Sequence, residues 1–223
     1  MNTLLENIVG AATIAATVVL SPLLRPWYRN WGATAGEIGR KLPGDALVPR
    51  PRLECTRAIT IAAPPNAVWP WLAQMGQGRG GLYSFDGLEN LAGCNIHSAD
   101  RVQPEHQRVQ PGDLIRLGPP GYPCFAVAAV EPGRALVLRG ADPKTGRPPT
   151  SPLPETYVNS TWAFVLEKTT GKTTRLVIRS RTDWAPPSFG STLIWRVFTD
   201  PIAFVMERQM LRGIKKRVEG SLR

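Results

Sequence analysis

One junction limits the folds open to this chain more than any other stretch. Arg57-Ala58-Ile59-Thr60-Ile61 is an alternating run that reads as a strand, and Pro64 and Pro65 follow where a helix can start, because its first N–H groups have no partner anyway. Val68, Trp69, Leu72 and Met75 then recur at helical spacing and form the bulky face that a helix closing over a sheet requires. A strand therefore delivers the chain into a short covering helix. The run Gly76-Gln77-Gly78-Arg79-Gly80-Gly81 comes next and leads to Tyr83 and Asp86.

Beyond this junction, Phe85–Leu91 predicts a short helix with Phe85, Leu88 and Leu91 inward and Asp86, Glu89 and Asn90 on its polar side. Strand patterns follow at Asp113–Leu117, Cys124–Val130, Ala135–Arg139, Tyr157–Glu167 and Thr173–Asp183, separated mostly by Pro/Gly turns, so an antiparallel meander is the natural assembly. The Pro-rich interval 142–154 is too broken for a regular element and predicts a loop at a cavity rim. Residues 190–219 predict helix, with Pro201 either breaking it into two or opening the main helix after Asp200 as cap; the second reading is preferred. Ala203, Met206, Met210, Leu211, Ile214 and Val218 make one apolar stripe of that helix, and Arg208, Arg212, Lys215 and Lys216 take the opposite side.

The junction at 63–86, with the meander and the terminal helix behind it, resembles the START/Bet v 1-like (SRPBCC) superfamily, in its polyketide cyclase/dehydrase-like group, over about residues 53–219. The resemblance implies an α+β helix-grip fold: a curved antiparallel sheet wrapped around the C-terminal helix and enclosing an apolar cavity. Such a scaffold serves carriers, receptors and enzymes alike, so it implies no particular chemistry. Trp31-Gly32-Ala33-Thr34 and Leu42-Pro43-Gly44-Asp45 resemble the lead-in of membrane-anchored members. Three regions follow: 1–31 as anchor and interfacial segment, 32–52 as a Gly/Pro-rich linker able to pack on the domain, and 53–223 as the helix-grip domain.

Leu4–Leu24 is apolar or small apart from Glu6, Asn7, two threonines and a serine, which at about 1.5 Å per residue just covers a hydrocarbon core of about 30 Å. No Lys or Arg precedes Arg25, and Arg25, Trp27, Tyr28, Arg29 and Trp31 suit a headgroup zone, so a single-pass anchor with a cytoplasmic domain is expected. The alternative is a helix packed on its own domain or lying in the interface. Three cysteines without CxxC or Cys/His spacing indicate neither a disulfide framework nor a zinc site. The net charge of +10 leaves nucleic acid, an anionic membrane or simple arginine richness open. No basic face interleaved with stacking aromatics points to nucleic acid, whereas Arg212, Lys215, Lys216 and Arg217 suit an anionic bilayer.

The glycine run matches G-x-G-x-x-G, but a helix precedes it where a nucleotide site needs a strand, so a close-approach turn is the better reading and no cofactor is implied. Asp86, Glu89, Asn90, His97, Asp100 and Arg101 form the densest polar cluster. His97 and Asp100 suit an imidazole–carboxylate pair for proton transfer, though surface ion pairing explains such a cluster equally, and no spacing supports a metal. Glu207 falls within the apolar stripe and needs a partner: an inward Arg179 or Arg181, or else protonation, which would make it a proton donor; alternatively those arginines lie on the solvent face and Glu207 sits at the stripe's wet edge. Trp162, Phe164 and Leu166 share a strand face for core or cavity lining.

The expected function is binding or carriage of a hydrophobic small molecule, of lipid, isoprenoid or polyketide-like type. Tyr83, Trp162 and Glu207 would supply shape and a polar end-contact, and Trp71, Phe85, Glu89, Asn90, Asp100, Arg101, Arg181, Met206 and Met210 complete the candidate lining. The alternative is a cyclase, dehydratase or isomerase using His97, Asp86 or Glu207 as acid or base. Oligomeric state is left open.

Overall fold

The computed structural model describes residues 3–169 and 171–221. Helices α1 (Thr3–Val19), α2 (Ser21–Arg29) and α3 (Ala35–Gly39) precede β1 (Leu53–Ile61). Helices α4 (Pro65–Ala73) and α5 (Asp86–Leu91) lead to β2 (Leu114–Arg116), β3 (Cys124–Glu131), β4 (Ala135–Ala141), β5 (Tyr157–Lys168) and β6 (Thr174–Ala185). Helices α6 (Phe189–Leu193) and α7 (Asp200–Gly220) end the described chain. The six strands form one sheet in the order β1-β6-β5-β4-β3-β2, every pairing antiparallel, as a meander with β1 folded back onto β6. This is an α+β protein whose curved sheet holds a long C-terminal helix.

Alternation along the strands sorts the two faces. Ile59, Ile61, Leu136, Leu138, Trp162, Phe164, Leu176 and Ile178 turn to the concave side, where they meet Val68, Trp71 and Leu72 of α4 and Met210, Leu211, Ile214 and Val218 of α7 in the main core. In α4 Trp71 is buried, whereas Trp69 packs only partly against that core. Gly213 fixes how closely α7 comes: a Cβ there would collide with the carbonyl oxygen of Tyr83, a buried residue in the left-handed region at φ 58°.

Three expectations change. First, Asp200 does not cap α7, although Pro201 stands in its first turn as expected. The chain is helical from Phe189 through a π-helical turn at Ile194–Thr199. The wide turn lies where Pro201 cannot donate and its ring would crowd the preceding turn, so the run continues instead of stopping. Second, α5 is rotated from its expected orientation: Glu89 is buried and Leu91 is 86% exposed, because Phe85 and Leu88 dock against Gly10 of α1 and Gly87 against Asn7. Third, the expected span is not one rod. Among the described residues no single helix is long and apolar enough to cross a membrane, and α1 and α2 meet at a bend of 109°.

The inner side of this bent pair covers the flank of α7. Tyr28, Phe204 and Val205 form a second core with Ile14 and Leu24, and Tyr28 stacks on Phe204 at 5.3 Å. Residues 32–52 lie on the convex face, where Leu42 packs with Ala58, Val165 and Val177. Arg179 locks that segment down, donating to the carbonyl oxygens of Glu37, Ile38 and Arg40 and to Asp45 at 2.7–2.8 Å.

Candidate functional site

Arg57 shares its strand face with Ile59 and Ile61, so the alternation that fills the core also carries a guanidinium beneath α7, where it is 1% exposed. Its Nε donates to the Tyr28 carbonyl at 2.9 Å, its Nη1 donates to the Glu207 carboxylate, and its Nη2 lies 3.5 Å from Asp200 Oδ1. Ser180, on β6, donates to Glu207 Oε1 at 3.1 Å, and the Tyr28 hydroxyl donates to Asp200 Oδ2 at 3.3 Å. One buried cation is thus shared by two carboxylates one α7 face apart, with a backbone carbonyl and two hydroxyls completing the shell. Burial alone would lower the Arg57 pKa, but the carboxylates of Glu207 and Asp200 hold the guanidinium charged. Burial raises Asp200, against the opposing pull of Arg57 and Arg29. Burial also pushes the Cys55 thiol up to about 11, so it stays protonated at neutral pH and is no nucleophile.

A cleft of about 100 Å³ opens onto this cluster at the N-terminal end of α7. Arg57, Ser180, Asp200 and Glu207 supply its polar lining, and Trp195 and Ala203 its walls. Trp195 is held by stacking on Trp184, ring centroids 5.6 Å apart. Among the described residues two buried donors on the concave face make no hydrogen bond: Arg57 Nη2, which has Asp200 Oδ1 at 3.5 Å, and Trp162 Nε1, on the residue paired with Ser180. Each is an N–H group looking for an acceptor oxygen. A second hollow of about 300 Å³ lies at the other end of α7, lined by Asp100, Lys216 and Arg217.

Beside the middle of α7, where a hollow is expected, Trp71, Tyr83, Trp162 and Met210 are all members of the main core. Glu207 is buried in the helix stripe as expected, but its partner is Arg57 and neither Arg179 nor Arg181. Those two alternate onto the convex face, where Arg181 pairs with Asp45 at 3.3 Å and Glu54 at 3.0 Å. Met206 is half-buried and its carbonyl accepts from Ser84 at 3.0 Å, while Phe85 packs beside the Tyr28–Phe204 cluster.

The polar cluster is only partly assembled. Asp86 accepts from the Ser98 backbone and hydroxyl, both at 2.6 Å, and Asn90 clasps Ile96 through bonds of 2.8 and 2.6 Å, so both fix the 93–98 loop. Glu89 is buried with Oε2 unpartnered, and burial, reinforced by Asp86, pushes its carboxyl up to about 7. His97 is exposed and meets Asn95 Oδ1 at 3.2 Å, whereas Asp100 pairs with Arg217 at 3.4 Å; the imidazole–carboxylate pair is not formed. Arg101 is exposed and contributes its carbonyl to Gln74 at 3.2 Å. The glycine run closes a tight turn in which Gly76 and Gly81 exchange backbone bonds of 2.9 and 3.0 Å. Of these residues only Glu207 borders the cleft.

Fold and site together define an α+β protein that closes a curved sheet on a C-terminal helix and keeps a charge-lined cleft at that helix's beginning. No family model matches the chain, and no curated protein matches it. Among solved structures it is similar to the Zhui aromatase/cyclase of a Streptomyces species, at 13% identity over 77% of this chain and 96% of that one, TM-score 0.41. It is also similar to a Polyketide_cyc-like protein of Corynebacterium glutamicum, at 17% identity over 78% and 96%, TM-score 0.42. A third is the di-domain ARO/CYC BexL, at 12% identity over 75% of this chain and 46% of that one, TM-score 0.40.

Proposed function

We propose that this protein binds a small, largely apolar molecule that carries an acceptor oxygen at one end, with that oxygen seated at Arg57. The observation behind this reading is Arg57, a buried cation that lines the cleft and whose Nη2 has Asp200 at 3.5 Å but makes no hydrogen bond. Such a group gains one to three kcal/mol, to order of magnitude (~), when it finds an acceptor. At about 100 Å³ the cleft is smaller than the ~300–1,000 Å³ of most ligand sites. It takes the polar end, and the apolar body lies along Trp195 and Ala203 at the mouth.

The test is mass spectrometry of organic extracts from the full purified chain beside an Ala203→Trp variant, which fills the cleft without touching its charges. One metabolite enriched with the native chain and lost from the variant, at unchanged circular dichroism, is the expected result. Identical extracts would overturn the reading. Asp200 favours a second reading, general acid–base conversion of the same ligand, since it lines the cleft with its carboxyl held above the usual range. In that case Asp200→Asn retains the ligand and accumulates it unconverted.

A further inference from the structure

Helices α1 and α2 are inside out. From residue 4 to residue 27 every exposed position is apolar, while Glu6, Asn7, Thr13, Thr17, Ser21 and Arg25 are partly or fully buried toward the protein. Leu4, Ile8, Val19, Leu23 and Trp27 are 52–80% exposed, with alanines filling the stripe between them. The polar side is tied down: Ser21 lies 3.0 Å from the Tyr28 hydroxyl, and Arg25 donates to the Arg196 carbonyl at 2.7 Å. A water-facing helix shows the reverse pattern, and an apolar stripe this long marks a surface that something covers.

The stripe ends in unneutralised positive charge. Trp31, just beyond α2, lies under two arginines of α7, with Arg208 at 5.4 Å and Arg212 at 5.8 Å from its ring. Neither has a carboxylate within ion-pair distance among the described residues, and Arg208 Nε is buried without a hydrogen bond. Two neighbouring cations beside a tryptophan, at the margin of an apolar strip, match the level of lipid phosphates above acyl chains. The geometry also favours lying flat over crossing. The 17 residues of α1 reach only about 25 Å, short of a core of about 30 Å, and the chain turns by 109° into α2.

We propose that the outer face of α1 and α2 docks in the plane of an anionic bilayer, its leucines and Trp27 in the acyl boundary and Arg208 and Arg212 at the phosphates. The protein then lies on the membrane and does not span it. This is independent of what occupies the cleft.

Full-length protein is mixed with vesicles of phosphatidylcholine alone or with added phosphatidylserine, and bound protein is measured by sedimentation. Binding to the serine-containing vesicles is expected, weakened by salt. Leu23→Asp, at an exposed site that leaves the fold intact by circular dichroism, is expected to weaken it at least tenfold. Arg208→Gln and Arg212→Gln each cost about fivefold on anionic vesicles and little on neutral ones. Alkaline carbonate should release the bound protein from membranes. Absence of vesicle binding, indifference to Leu23→Asp, or retention after carbonate, which means a true span, would each overturn the proposal. So would a native dimer that Leu23→Asp converts to monomer without any lipid binding, since a second copy would then be the cover.

Discussion

Two buried glutamates of this protein should respond to pH in opposite directions. Glu37 accepts from Arg175 at 2.7 and 2.9 Å and from the Thr34 backbone at 2.7 Å, and the Arg175 contact is the main reason its carboxyl falls from 4.5 to about 2. A depressed folded-state pKa means stability that is complete above about 4.5 and lost as pH falls toward 2. Glu37→Gln should therefore cost about 1–2 kcal/mol, after allowance for solvent screening of the pair, in urea unfolding at neutral pH and flatten the acid limb of the profile. Glu89 is raised from 4.5 to about 7, so its folded form holds a proton that the unfolded chain releases, and the penalty grows between those two values. Glu89→Gln should stabilise by about 2–3 kcal/mol above pH 7 and by nothing near pH 4, read from melting curves at the two pH values. Sequence patterning marked Glu207 as an embedded charge but missed its partner, although the needed signal was there. A strand that turns Ile59 and Ile61 inward turns Arg57 inward too.

Among the elements, those set by short-range pattern were legible. All five strand stretches of the meander form strands, trimmed or extended at their ends, because Pro/Gly turns and alternation fix them locally. Where a neighbour decides, pattern failed. The six-residue α5 has no strong apolar face of its own, and α1 sets its rotation; Asp200 lost its capping place to the continuous run through the π-turn. The α7–Tyr83 contact is the sharpest element-level test. Gly213→Ala forces a methyl against the Tyr83 carbonyl, which no rotamer change relieves. A loss of about 3 kcal/mol in chemical denaturation is expected, with Gly220→Ala, where nothing is near, as the neutral control.

For the molecule as a whole, anchor, linker and domain are not separable in the way that their composition suggests. Tyr28 supplies a carbonyl to Arg57, a hydroxyl to Asp200 and a ring to Phe204, while residues 37–45 satisfy Arg179 on the far face of the sheet. A chain starting at residue 53 would expose Phe204 and Val205 and leave both buried arginines short of partners. It should yield insoluble material or a broad, non-cooperative melt, whereas the full chain melts as one unit. A truncated chain melting sharply near the native temperature would show that residues 3–52 are an accessory after all.

The sequence by itself determined the strands, the gripped helix and the presence of a charge in that helix's apolar stripe, since each depends on side-chain spacing within one element. Only the tertiary structure decided which cation meets Glu207, where open space remains, and that the apolar N-terminus is a bent pair with its oily side outward. Those outcomes bring residues 28, 57, 180, 200 and 207 together from four elements of the chain. No local period encodes such a meeting; it follows from how the elements pack.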